Sequence, residues 1–114
     1  LGGIIAYDNA VKVAALGVSP ETLAASGAVS EAVAREMATG ARTRLGAEVG
    51  VSITGIAGPG GSEHKPEGRV CFGLAQDGRG IVTHTVEFGA LGRDAVRQAA
   101  RDHALALLAR ALQP

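Results

Sequence analysis

The chain of 114 residues contains no tryptophan, one tyrosine and two phenylalanines, so aromatics make up only 3% of it. With so few rings, Ala, Val, Leu and Ile must fill the interior, and apolar residues reach 46%. Small side chains let helices approach a sheet closely, but they bury less surface per residue. Part of the stability is therefore expected from a partner subunit, in a homo-oligomer. The lack of rings, together with a formal net charge of zero, leaves neither a basic stripe nor a stacking platform. Nucleic-acid binding is not expected. Cysteine occurs once, as Cys71, which excludes an intramolecular disulfide and suits a reducing cytoplasm. No apolar run approaches the length of a membrane span, and no basic leader followed by an apolar stretch marks a signal peptide. The chain opens Leu1-Gly2-Gly3-Ile4-Ile5 without methionine and reads as entered partway. Residues 1–114 are expected to form one domain that lacks its N-terminal portion.

Lysine is scarce as well. Of eleven basic residues only Lys12 and Lys65 are lysine; the others are arginine. Arginine stays protonated under any ordinary condition, whereas a partly buried lysine can lose its proton and act as a base. Lys12 is thus a candidate base, although a solvated helix lysine is the commoner case for a lysine taken alone.

The pattern of elements is that of an α/β chain. Gly3 to Ala6 reads as a short buried strand. Asp8 or Asn9 can cap a helix carrying Val11, Ala14 and Ala15, with Gly17 as its stop. Ser19-Pro20 starts a second, short helix that ends near Gly27. Ser30-Glu31 opens a longer one, with Val33, Met37, Ala41 and Leu45 on its inner face and Gly46 after it. Val49 to Thr54 reads as a strand. So do Val70 to Ala75 and Ile81 to Phe88, joined at the Asp77-Gly78 turn. In the last of these Val82, His84, Val86 and Phe88 alternate with Ile81, Thr83, Thr85 and Glu87, as in a sheet less buried on one side. After Gly92 a final helix places Val96, Ala99, Ala100, His103, Leu107, Leu108 and Ala111 on one stripe. The sum is a three-layer α/β/α fold with a mixed sheet.

Three polar or glycine-rich segments flank the apolar ones: Tyr7-Asp8-Asn9-Ala10-Val11-Lys12, Gly27-Ala28-Val29-Ser30-Glu31 and Thr54-Gly55-Ile56-Ala57-Gly58-Pro59-Gly60-Gly61. The last follows a strand, and its glycines allow backbone N–H groups close to an anion. It is neither a Walker A loop, since no Gly-Lys-Ser/Thr follows, nor a Rossmann fingerprint, since no helix follows directly; an ordinary loop fits it as well. Ser30 is first a helix cap, and a helix start also attracts phosphate. Tyr7 at a strand end and Lys12 one turn into a helix can face one cleft, where a tyrosine hydroxyl can orient an amine. A half-buried ring with a wet hydroxyl is an equal reading for Tyr7. His64, His84 and His103 have no metal-ligand spacing with one another or with Cys71, so no metal is expected. His103 reads as a hydrogen-bonded core residue. Arg93 and Arg97 stand near enough to a helix start to reach a phosphate in a neighbouring loop.

Taken together, the stretches GGIIAYDNAVKVAALGV, GAVSEAVAREMATGAR, VSITGIAGPGG, KPEGRV and GRDAVRQAARDHALALL resemble the C-terminal domain of the competence/damage-inducible protein CinA, which also occurs alone as nicotinamide mononucleotide deamidase. Their order covers almost the whole chain. The resemblance implies a cytoplasmic amidohydrolase of pyridine-nucleotide salvage. It would convert nicotinamide mononucleotide to nicotinic acid mononucleotide and ammonia, with no cofactor. It implies a serine nucleophile assisted by a lysine and a tyrosine, which map onto Lys12 and Tyr7. Asn9, Ser30, Thr54, Gly55 and Gly58 are then the substrate-binding residues. The family's serine belongs to an Ala-Glu-Ser-Cys-Thr-Gly-Gly-like motif on a preceding strand. That motif is absent here, and Ser19, Ser26, Ser30, Ser52 and Ser62 stand in other contexts. Without that strand and its helix, the chain lacks the nucleophile and a piece of the sheet, and is expected to be inactive by itself. Ala10 and Arg69 also depart from the acidic residue and the threonine common at those places. The competing expectation is a non-catalytic nucleotide-binding or competence-associated module of the same family.

Overall fold

Caps and stops written into the sequence set the helices. The Asp8 carboxylate accepts the Ala10 N–H at 3.3 Å and starts α1 (Asn9–Leu16), which Gly17 ends in the left-handed region at φ 71°. The Ser19 hydroxyl caps α2 (Pro20–Ser26), and the Ser30 hydroxyl accepts the Val33 N–H at 3.2 Å to start α3 (Glu31–Arg44). Three strands follow, β1 (Val49–Gly55), β2 (Arg69–Gln76) and β3 (Gly80–Glu87), then α4 (Arg93–Ala111). The computed structural model describes residues 2–6, 8–61 and 65–113.

The sheet order is β1-β2-β3. Val49 stands opposite Gln76 and Gly55 opposite Val70, while Arg69 stands opposite Glu87 and Gln76 opposite Gly80. α3 covers one face with α1 and α2 packed on it; α4 covers the other, lying across β1 and β2. The layers are those of an α/β/α fold. Both ladders are antiparallel, so the parallel pairing expected of a mixed sheet is not present among the described residues. The expected strand Gly3–Ala6 is also not a strand. Residues 2–6 instead share a groove of about 680 Å³ with β1, whose outer edge has no described neighbour to carry the ladder onward.

α3 has two buried faces, and they use different residues. Val33 and Met37 pack with Leu16 and Val18, with Ala41, Leu23, Ile4 and Ala6 around them. The stripe read from the sequence thus faces α1 and the start of the chain. Leu45 lies past this contact and is 39% exposed. The sheet instead receives Ala34 and Ala38, both fully buried. Opposite them stand small residues only. The Ser52 hydroxyl donates to the Ala34 carbonyl at 2.6 Å. A Cβ on Gly73 would lie 2.4 Å from that carbonyl oxygen, and one on Gly50 would lie 2.6 Å from the Ala38 oxygen. α1 differs from expectation too: its buried residues are Lys12 and Leu16, while Val11 and Ala14 face outward.

The second core lies on the other face. Val70 and Phe72 of β2 pack with Val96, Ala100, Ala104 and Leu107 of α4. Phe72 is fully buried, with the His103 ring 4.4 Å away. His103 is hydrogen-bonded as the stripe predicted, its Nε2 2.9 Å from that of His84 on β3, but it is half-buried at the margin of the core and not inside it. The β3 alternation holds only in part. His84 and Val86 turn toward α4 and are half-buried, but Val82 is 57% exposed because α4 lies over β1 and β2. On the reverse face Thr83 and Thr85 donate to the Glu31 carboxylate at 2.9 and 2.8 Å, and these bonds, Thr85 first, hold its pKa below the ordinary glutamate value. No helix among the described residues is long and apolar enough to cross a membrane.

Gly73→Ala should lower stability by about 1–3 kcal/mol, since its Cβ meets backbone that cannot move without shifting α3. Chemical denaturation measures it; an unchanged midpoint would show that α3 does not rest on β2 this closely. Burial, then the charges of His84 and Arg110, push the His103 pKa below 6.5. The unfolded chain therefore takes up that proton first, and the His103 contribution is whole above about pH 6.5 and lost as pH falls through the folded value. His103→Gln should flatten the fall in stability between pH 7 and 5; an unaltered slope would place the titration elsewhere.

Candidate functional site

β1 ends in Thr54-Gly55, and the chain then turns through Ile56, Ala57 and Gly58. The loop is pinched shut at its base, where Ile56 N–H donates to the Arg69 carbonyl at 2.9 Å and Gly68 N–H donates to the Ile56 carbonyl at 2.7 Å. α1 brings Lys12 to this end of the sheet, and the first turns of α4 bring Arg93 and Arg97. Lys12, Thr54, Gly55, Gly58, Arg93 and Arg97 line one chamber of about 380 Å³. Four residues picked out as candidates are therefore joined by tertiary structure, together with the two arginines expected to reach a phosphate.

Lys12 is 6% exposed, an unusual position for a lysine. Its Nζ donates to the Ala6 carbonyl at 3.0 Å, reaching back to the segment before its own helix. Arg93 Nη1 donates to the Gly58 carbonyl at 3.3 Å. The chamber is lined by two arginines and a lysine and, among the described residues, by no acidic side chain. Such a chamber favours an anionic ligand.

Other candidates fall outside it. Asn9 is exposed on the first turn of α1 and does not line the chamber. Ser30 is a cap: besides accepting the Val33 N–H, its hydroxyl donates to the Gly27 carbonyl at 2.9 Å. Tyr7, Ser62 and His64 lie outside the described residues. Thr54 lines the chamber, but its hydroxyl donates to the Ala28 carbonyl at 2.8 Å. The N–H of Gly60, which a phosphate cradle would need, donates instead to Glu67 Oε1 at 2.5 Å. Glu67 lies against the loop so closely that a Cβ on Gly58 would be 2.5 Å from its Cδ. The loop is thus a strutted wall, and anion attraction falls to the arginines.

Two functional side chains carry roles that residue types did not disclose. Glu67 is the strut. Lys65 Nζ donates to the Ser26 carbonyl at 2.7 Å and also to the Val29 carbonyl. Every carbonyl from Ser26 to Val29 therefore accepts a side-chain hydrogen bond, from Lys65, Ser30, Thr54 and Lys65 in turn. The rarity of lysine was the one available signal, and it marked both lysines rather than Lys12 alone.

Fold and chamber together define a layered α/β domain with a cationic site where β1 meets α1 and α4. The chain belongs to the CinA C-terminal domain family, whose model matches residues 1–112. It is 51% identical to a CinA-like protein of Thermosynechococcus vestitus over 97% of this chain and 27% of that protein. It is 49% identical to a putative competence-damage inducible protein of Symbiobacterium thermophilum over 96% of this chain and 28% of that one. Its fold matches the crystal structure of the competence/damage inducible protein CihA from Agrobacterium tumefaciens with a TM-score of 0.89 at 40% identity, covering 95% of this chain and 66% of that one. An Escherichia coli CinA superfamily structure gives 0.87 at 39%, covering 93% and 61%. The chain thus spans about a quarter of the length of the curated relatives it matches, here 27% and 28%.

Lys65→Met keeps the apolar stem but leaves the Ser26 and Val29 carbonyls without the amine. Stability should fall by about 1–3 kcal/mol in chemical denaturation. No loss would mean that water replaces the amine at no cost.

Proposed function

We propose that this domain, within the intact protein, hydrolyses the carboxamide of nicotinamide mononucleotide to nicotinic acid mononucleotide and ammonia. One observation carries the reading: a nearly buried lysine shares a chamber with two arginines and no described acidic side chain. Membership of the CinA C-terminal domain family supports it. The chamber suits an anionic nucleotide, with Arg93 and Arg97 facing the phosphate and the backbone at Gly55 and Gly58 leaving room for the ribose. Asn9, exposed on the first turn of α1, and Ser30, the cap of α3, lie outside the chamber.

The reaction needs a nucleophile that the described serines do not offer. Ser30 and Ser52 are engaged in hydrogen bonds to backbone groups, and Ser19 and Ser26 do not line the chamber. The proposed nucleophile is a serine hydroxyl supplied from outside this chain to the mouth of the chamber. Lys12, in its neutral form, takes the hydroxyl proton, with Tyr7 orienting the amine. The serine oxygen attacks the carboxamide carbon; backbone N–H groups hold the oxyanion, each worth about 3–4 kcal/mol. The nitrogen leaves as ammonia with the proton returned by the lysine, and water then hydrolyses the acyl-enzyme. No step calls for a metal or a cofactor. That no described serine lines the chamber favours a second reading for the chain by itself, a nucleotide-binding module without turnover.

The full natural gene product should release ammonia from nicotinamide mononucleotide. Lys12→Ala should lower that rate by about 10²–10⁴-fold while substrate still binds. The rate should also rise with pH through a group active in its deprotonated form. Near-normal turnover in Lys12→Ala would remove Lys12 from the mechanism. Binding without ammonia release from the unaltered protein would leave the module reading in its place.

A further inference from the structure

A second cavity adjoins the chamber. It is a slot of about 240 Å³ that shares Ile53, Gly55, Ala57 and Arg97 with it. The floor of the slot is Val70, Val96 and Ala100, none more than 5% exposed. Ile53, an edge-strand side chain left 41% exposed, forms part of its rim. Gly55 divides the two spaces with backbone alone: a Cβ there would come within 2.8 Å of Val70 Cγ2. Above the apolar floor stand Arg97 and Arg101, one turn apart on α4. Arg101 Nε is held by Asp102 at 3.1 Å. Arg97 makes no hydrogen bond or ion pair among the described residues, and it borders both cavities.

The chemistry of the slot differs from that of the chamber. Its floor carries no polar side chain, so it gains from apolar surface and offers no hydrogen-bond readout. The planar guanidinium groups at its rim stack on aromatic rings. Its volume, on the order of eight waters, holds one heterocyclic base. The shared wall places a bare cation between this ring slot and the space beside Lys12. Chamber and slot together fall in the size range of small-molecule sites, about 300–1,000 Å³.

We propose that the site accepts a dinucleotide, two nucleosides joined by a pyrophosphate: one base lies in the chamber beside Lys12, the pyrophosphate spans Arg93 and Arg97, and the second base fills the slot over Val96 and Ala100. The proposal rests on the reading of the chamber as a nucleotide site and extends it to a larger ligand class. Burying one further ring should tighten binding by about tenfold or more over the matching mononucleotide.

The test compares nicotinic acid mononucleotide with nicotinic acid adenine dinucleotide, which share the half that enters the chamber and contain no carboxamide to hydrolyse. Affinities are measured by calorimetry on the full natural gene product. The dinucleotide should bind about tenfold or more tightly. Ala100→Leu, which fills the slot, should bring the ratio of the two affinities to near one. Arg101→Ser, an exposed change that leaves the core intact, should reduce it. Equal affinities in the unaltered protein, or a ratio unchanged in both variants, would overturn the proposal while leaving the chamber a mononucleotide site. No binding of either compound would overturn the nucleotide reading of the chamber and the slot with it.

Discussion

Contact between the backbone of α3 and the sheet sets the rest of the structure. Ala34 and Ala38 lie against Gly50, Ser52 and Gly73, and two of the carbonyl oxygens stand where a Cβ would otherwise be. A helix this near a sheet cannot have large side chains between them. The poverty of aromatic residues is thus a geometric requirement on this face, while the two phenylalanines are kept for the other. The approach of α1 to α3 follows the same rule, for a Cβ on Gly40 would lie 1.7 Å from the Leu16 carbonyl oxygen. Moving α3 outward would carry α1, and Lys12 with it, away from the end of β1.

That chain of contacts accounts for the precision of the site. Lys12 is placed by α1, Thr54 and Gly55 by β1, and the arginines by α4 on the opposite face. The three elements meet only because α3 fixes α1 to one side of the sheet and Phe72 fixes α4 to the other. The segment between α2 and α3 is held just as firmly, with four successive carbonyls bound by side chains. Glu36 adds a link between these helices, accepting the Ser19 N–H and the Thr22 hydroxyl, each at 2.6 Å. A cationic chamber is costly where its charges face one another, and rigid placement lets that field serve an anionic ligand. The strut from Glu67 puts a carboxylate under the loop and away from the chamber lining.

The outer edge of β1 sets the limit of what this chain completes. Residues 2–6 and β1 border a common groove, and no ladder joins them. An edge strand whose outer side meets no ladder partner among the described residues, beside apolar walls, is an incomplete surface. The solved relatives contain chain that has no counterpart here, since this chain covers 66% and 61% of two of them.

The sequence by itself determined the elements and their order. Asp8, Ser19, Ser30 and Gly17 act locally, through hydrogen bonds and backbone angles within a few residues, and so they could be read without a fold. The stripe of α4, with His103 on its inward side, was legible for the same reason, because a helical period is a local property. The family was legible in its motifs. Tertiary structure decided the rest. It turned the Val33, Met37 and Ala41 stripe toward α1 instead of the sheet, because the smaller Ala34 and Ala38 allow the closer approach. It left Gly3–Ala6 outside the sheet, because a strand exists only where a neighbour pairs with it. It separated Asn9 and Ser30 from Lys12, Thr54, Gly55 and Gly58, and it brought Arg93 and Arg97 to join them from the last helix. Charge at a site depends on which side chains converge in space, and convergence between distant segments is not written in the pattern of any one of them.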